Sequence, residues 1–207
     1  ARRTVDQHML RILAAQSGGK RHDALLLSND LLKALRPCLL REGHVERYGA
    51  QLAQMLDQLA QYEQQDHGVA APDTLHDGAM HGPTPARIPG GHLITTRGLV
   101  ELIQSQRTPY LLFDVLGGPE ILPGAIAAVE AAQPGRFDDQ ISQQMERFLA
   151  QATQGNRQVP LIFYCASVEC WMSYNASLRA IRLGYQNVQW YRGGIQAWKA
   201  IGGPTMP

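Results

Sequence analysis

Two cysteines in one short loop are where this chain could do covalent chemistry. In "LIFYCASVECWMSYNASLRAIRLGY", Leu161 to Tyr185, an apolar run ends at Cys165, four residues intervene before Cys170, and a helical stretch follows. A cysteine directly after a strand, on a loop that enters a helix, meets inward-pointing backbone N–H groups and the partial positive charge of the helix N-terminus. Both favour the thiolate. Cysteines so placed titrate between roughly 3.5 and 7.5 against a free value near 8.5, which leaves an ionised, nucleophilic sulfur at neutral pH. The competing expectation is a buried structural cysteine that closes the strand. Cys170 also has two readings. The spacing allows a disulfide if the Cα atoms approach within about 7 Å, with Cys170 resolving an oxidised or persulfidated Cys165. Otherwise Cys170 is a small residue filling space beneath Trp171.

The elements that must position this loop alternate from Leu93 onward. "HLIT" leads to a helix over Arg97–Gln106, a strand over Tyr110–Val115, a weaker strand over Gly124–Val129 and a helix over Asp138–Ala152. A strand over Pro160–Tyr164, a helix over Ser173–Leu183, a strand over Asn187–Tyr191 and a last helix around Ile195–Ile201 complete the series. Repeated βα units predict an α/β fold with a mainly parallel sheet and helices on both faces. In such sheets, sites gather beyond the carboxyl ends of the strands, which is where Cys165 falls.

Upstream the texture differs. Val45, Tyr48, Leu52, Met55, Leu56, Leu59 and Tyr62 trace one face of a helix, Val5 to Gln16 gives another candidate, and Ser28 to Asp30 offers a cap for a third that Pro37 stops or kinks. Residues 1–66 therefore read as a small all-α packing or docking segment, through which a protein partner could bind. Cys38, in "LLKALRPCLL", reads as a small buried hydrophobe. Residues 67–92 are dense in Gly and Pro and read as a linker, leaving 93–207 as the α/β domain. The linker's His67, His76, His81 and His92 lack metal-ligand spacing and read as solvated, so no metal and no cofactor is expected.

Bulk composition narrows the partners. Formal net charge is +1 over 207 residues without a run of five like charges, which argues against a nucleic-acid or acidic-membrane surface. No apolar run approaches the roughly 18 residues that cross a bilayer. Three cysteines do not make a disulfide framework.

Four features in order resemble a rhodanese domain: "LLFDV" with Asp114, "LPGA" at Leu122 to Ala125, the strand-Cys165-loop-helix unit, and "GY" at Gly184 and Tyr185 leading into "NVQWYRGGIQAW". The resemblance spans about Leu93 to Pro204 and implies a sulfurtransferase or persulfide carrier in which Cys165 is the catalytic nucleophile. The active-site loop is then Ala166, Ser167, Val168, Glu169, Cys170, Trp171, Met172 and Ser173, with Ser173 as the helix-capping serine and Asp114 and Arg192 in support. The amides of Ala166 to Trp171 would cradle a persulfide. The family's loop arginine is missing, and Arg192 is expected to replace part of its charge. "CWMSYNA" is similar to a quinoprotein-associated subgroup with a Cys-x-x-Cys-Trp signature, although four residues, not two, separate the cysteines here. Members of that subgroup are typically exported. The opening Ala1 would agree with a periplasmic location, and a cytoplasmic one is the alternative.

The resemblance implies a small sulfane donor, thiosulfate-like or a persulfide, and a thiol acceptor. Two alternatives stay open: a thiol-disulfide device using Cys165 and Cys170, and a non-catalytic binding or regulatory module whose pocket would use exposed Trp171 and Tyr174. The phosphatase and arsenate-reductase branch of the fold ranks lower, because its oxyanion grip needs the absent arginine.

Overall fold

The computed structural model describes residues 45–105 and 108–207. The expected helices at Val5–Gln16 and after Ser28, with Pro37 and Cys38, lie outside the described residues. Helix α1 (Val45–Gln64) is followed by β1 (His92–Leu93), α2 (Thr96–Ser105), β2 (Leu111–Asp114) and β3 (Ile126–Ala127). A 3-10 turn (Val129–Ala132), α3 (Gln140–Ala152), β4 (Leu161–Tyr164), α4 (Met172–Arg182), β5 (Val188–Tyr191) and α5 (Gly194–Ala200) complete the chain. The five strands form one sheet in the order β1-β5-β4-β2-β3, and every pairing is parallel.

The central strand explains why the sheet takes this shape. Leu161, Ile162, Phe163 and Tyr164 are each 0 % exposed, so β4 is covered on both faces and is apolar throughout rather than alternating. Its side chains still sort by parity. Leu161 and Phe163 join Phe113, Met145, Phe148 and Leu149 under α3 and α4, whereas Ile162 and Tyr164 join Leu99, Ile103, Ile195 and Trp198 under α2 and α5.

Most elements match the sequence expectation to within a residue or two. The exception is Gly124–Val129, where only Ile126 and Ala127 pair before the chain turns into the 3-10 segment. Its amphipathic face also departs at the end of α1. Tyr62 is 50 % exposed and the neighbouring Glu63 is 0 % exposed, so the last turn buries a carboxylate instead of an aromatic ring.

Residues 67–92, read as a linker, lie along the domain as a strap. Leu75 and Ile88 pack with Trp171, Tyr174, Leu178 and Trp190 in a third apolar cluster. Polar contacts fix the strap as well: the Tyr174 hydroxyl donates to the Pro72 carbonyl at 2.7 Å, and Asn175 exchanges bonds with the backbone of His76, accepting at 2.8 Å and donating at 2.9 Å. Lack of periodicity is what a surface strap and a free linker share, so composition could not separate them.

Candidate active site at the carboxyl end of the central strand

In-register pairing brings Asp114, Tyr164 and Tyr191 into one row at the ends of β2, β4 and β5. Cys165 is the next residue after that row. It is disulfide-bonded to Cys170, with the Cα atoms 6.4 Å apart, inside the range that a disulfide spans. Both cysteines are buried, at 1 % and 4 % exposure. Of the two sequence readings of Cys170, the space-filling one gives way to a covalent partner of Cys165.

Ser173 does not cap α4. It lies inside the helix, and its hydroxyl turns to the sheet, 3.0 Å from Cys165 Sγ. The indole N–H of Trp190 donates to the same oxygen at 2.9 Å. An indole can only donate, so it occupies a lone pair of Ser173 and leaves the serine's own hydrogen free to point at sulfur. The pair is a relay that no local pattern announces, because its members are 17 residues apart.

The expected cradle of amides from Ala166 to Trp171 is only partly open. Glu169 N donates to Ser167 Oγ at 3.3 Å and Cys170 N to the Ser167 carbonyl at 3.1 Å. Trp171 N donates to the Met80 carbonyl at 3.0 Å, and Gly82 N donates to the Glu169 carbonyl at 2.8 Å. These two bonds flank an antiparallel bridge between His81 and Cys170, so the strap pairs with the loop at the second cysteine itself. Val168 is held too, its carbonyl accepting from the Thr84 hydroxyl.

The guanidinium of Arg192, expected to replace part of the missing loop arginine's charge, is already engaged. It is 1 % exposed, with Nε on the Thr84 hydroxyl, Nη1 on the carbonyls of Glu63 and Gln65, and Nη2 on the Thr84 carbonyl. Its guanidinium ties the end of α1 to the strap, which is a structural task. Trp171 and Tyr174 are likewise not an exposed pair. Trp171 is 6 % exposed beneath a stacked His76 ring at 4.2 Å, and Tyr174 is 0 % exposed, edge-on to both Trp171 and Trp190. His76 thus covers the loop rather than standing in solvent, while His81 meets Glu169 at 3.6 Å on the surface.

Asp114 supports the site through backbone. Its Oδ1 accepts from Leu116 N and Gly117 N, which closes the turn after β2. Beside it, Tyr164 donates nothing to solvent: burial, then the Asp114 charge, pushes its phenol well above the usual value, and its oxygen accepts from Leu122 N.

The turn after β5 completes the surroundings. Gly194 has φ +61, and a Cβ there would collide with the Cys165 and Ala166 carbonyls. Those carbonyls accept from Ile195 N and Gln196 N, each at 3.0 Å, so the first turn of α5 grips the backbone of the nucleophile candidate. Only glycine permits both the left-handed conformation and that approach.

The Rhodanese-like domain family matches residues 99–201. Residues 99–201 form a Rhodanese-like domain. Among solved structures, the NMR structure of a Rhodanese-like domain from an Anabaena sp. protein is similar at 22 % identity, covering 55 % of this chain and 77 % of that one with a TM-score of 0.40. A crystal structure of a Rhodanese_3-like domain from Anabaena sp. is similar at 24 % identity, covering 47 % and 99 % of the two chains, TM-score 0.34. No curated protein matches. The Rhodanese-like domain begins beyond the strap, so the segment that covers its Cys165 loop comes from outside the family match.

Proposed function

We propose that this domain handles sulfane sulfur, with reduced Cys165 as the group that accepts it as a persulfide. The observation that carries this reading is the position of one sulfur: directly beyond the end of the central strand of a Rhodanese-like domain, 3.0 Å from a serine hydroxyl poised to donate to it. A hydroxyl donor on a thiolate stabilises the charged form, which favours nucleophilic attack on a donor's outer sulfur.

The donor class follows from what the arginines are doing. Arg192 is spent on backbone carbonyls, and the loop 165–173 carries none, so a thiosulfate-like oxyanion finds no guanidinium fork. Persulfides of small thiols are the better donors. The Cys165–Cys170 disulfide also favours a thiol-disulfide reading, and a bonded pair would suit an exported protein in an oxidising compartment. The quinoprotein-associated subgroup would agree with export.

The test uses the full chain, reduced and freed of reductant, with glutathione persulfide as donor. Either a gain of one sulfur, about 32 Da, on Cys165 or sulfide release that depends on Cys165 is expected, as thiol exchange with a persulfide requires. Equal behaviour of wild type and Cys165→Ser would overturn the proposal.

A further inference from the structure

The disulfide, the strap and the burial of both sulfurs point one step beyond a carrier. We infer that Cys170 resolves the Cys165 persulfide inside the loop, so that the product leaving the site is sulfide and the second substrate is a dithiol reductant. This rests on the persulfide reading above.

The chemistry balances without any further oxidant. The Cys165 thiolate attacks the outer sulfur of a persulfide donor and releases the donor's thiol, leaving Cys165–S–SH. The Cys170 thiolate then attacks Cys165 Sγ: the bond between Sγ and the outer sulfur breaks, the Sγ–Sγ bond forms, and hydrosulfide departs. The sulfane sulfur is reduced to sulfide while two thiols are oxidised to one disulfide. A dithiol restores both thiols by taking the oxidation onto itself. Hydrosulfide is a weaker base than an alkyl thiolate, and the less basic sulfur leaves faster in such exchanges.

Geometry favours this path over transfer to an outside thiol. Cys165 and Cys170 are paired with the loop intact, their Cα atoms 6.4 Å apart, so the second attack is intramolecular. The strap holds that arrangement by pairing at Cys170, with Gly82 N on the Glu169 carbonyl and Trp171 N on the Met80 carbonyl. Both sulfurs are buried, at 1 % and 4 % exposure, so donor, acceptor and dithiol alike must open the loop to reach them, whereas Cys170 needs no opening to reach Cys165.

The experiment is a single turnover. Prereduced full-length protein is mixed without air with an equivalent of glutathione persulfide, and sulfide, free thiols and intact mass are followed. Wild type should release about one sulfide per chain, lose the thiols of Cys165 and Cys170 together, and hold no lasting mass gain. Cys170→Ser and Cys170→Ala should keep the added sulfur on Cys165, about 32 Da, and release sulfide about 100-fold more slowly, the scale of an intramolecular advantage. If wild type holds the added sulfur while Cys170 stays free, the resolving step is overturned and the carrier reading stands. If Cys165 gains no sulfur in any of these proteins and sulfide stays at the Cys165→Ser level, the carrier reading falls with it. The thiol count of wild type decides the point even if both Cys170 variants fail to fold.

Discussion

Two carboxylates beside buried arginines, on opposite sides of the sheet, are held by different rules. On the α3–α4 side, Asp139 meets the fully buried Arg179 at 2.8 and 2.9 Å through both carboxylate oxygens. Asp139 also caps α3 by accepting from Ser142 N at 2.8 Å. On the α1 side, Glu63 accepts from the backbone and hydroxyl of Thr96, and Thr96 in turn meets the Tyr191 hydroxyl at 2.7 Å. Arg192 stands close but bonds to carbonyls, including that of Glu63.

The electrostatic outcomes are opposite. Burial would raise the Asp139 carboxyl, but Arg179 and the amides of Ser142 and Arg136 overcome it and hold the group at about 2, below its ordinary 3.8. For Glu63 burial wins. Its carboxyl is raised above 4.5, because the Thr96 hydrogen bonds and the Arg192 charge offset only part of the desolvation. A charge bonded directly to its counterion is a lock; a charge held by neutral donors is a wedge that must be tolerated. The lock joins the start of α3 to α4. The wedge lies against Gly193, one residue from the glycine that contacts the Cys165 carbonyl.

The largest expected effect breaks the lock. Asp139→Ala leaves Arg179 buried without its acid, and urea unfolding should register a loss of about 4 kcal/mol. The pH dependence sharpens the contrast, since a depressed carboxyl contributes stability that is full above its ordinary value. Wild type should therefore lose stability as pH falls from 3.8 toward about 2, and the variant should lack that limb. A variant within about 1 kcal/mol of wild type would mean that the pair is not a lock.

Next comes the contact between the wedge and the turn. A Cβ at position 193 would drive into Glu63 Oε1, while the backbone there, φ −62, is ordinary. Gly193→Ala should cost about 3 kcal/mol by overpacking alone, read as a lowered urea midpoint with an unchanged slope. An unchanged midpoint would show that Glu63 can move aside.

Ser173→Ala probes the loop that both regions frame. Removing the hydroxyl should slow alkylation of reduced Cys165 by iodoacetamide about tenfold at fixed pH, followed by intact mass. A buried structural cysteine with no use for the donor would react at the same rate.

The smallest effect belongs to the Glu63 charge. A raised carboxyl contributes stability that is present below its ordinary 4.5 and is lost as pH rises through the folded value. Wild type should thus gain on Glu63→Gln as pH falls through the folded value toward 4.5, read as a growing difference in urea midpoint. The sign is opposite to the Asp139 limb, and a shared sign would collapse the comparison.

How much of this was legible in order of residues alone depends on the range of the signal. The apolar run of β4, the stripe of α1 up to its last turn and the position of Cys165 beyond a strand end are local, and the fold follows them. Ser173 shows where local reading fails. A serine near a helix start reads as a cap, yet Trp190 and Cys165 recruit its hydroxyl from two other elements. Arg192 fails the same way: its charge was visible, but the carbonyls of Glu63, Gln65 and Thr84 that consume it were not.

The chain's own order of residues determined the parallel sheet, the Rhodanese-like domain and the loop that bears both cysteines, because hydrophobic periodicity and turn chemistry act over a few residues. Only tertiary structure decided that the segment 67–92 is a strap over that loop, that both cysteines of the loop are buried and joined, and that the buried Arg179 and Arg192 are already engaged. Those outcomes depend on which distant donor meets which acceptor once water has been excluded, and no short stretch of sequence encodes that meeting.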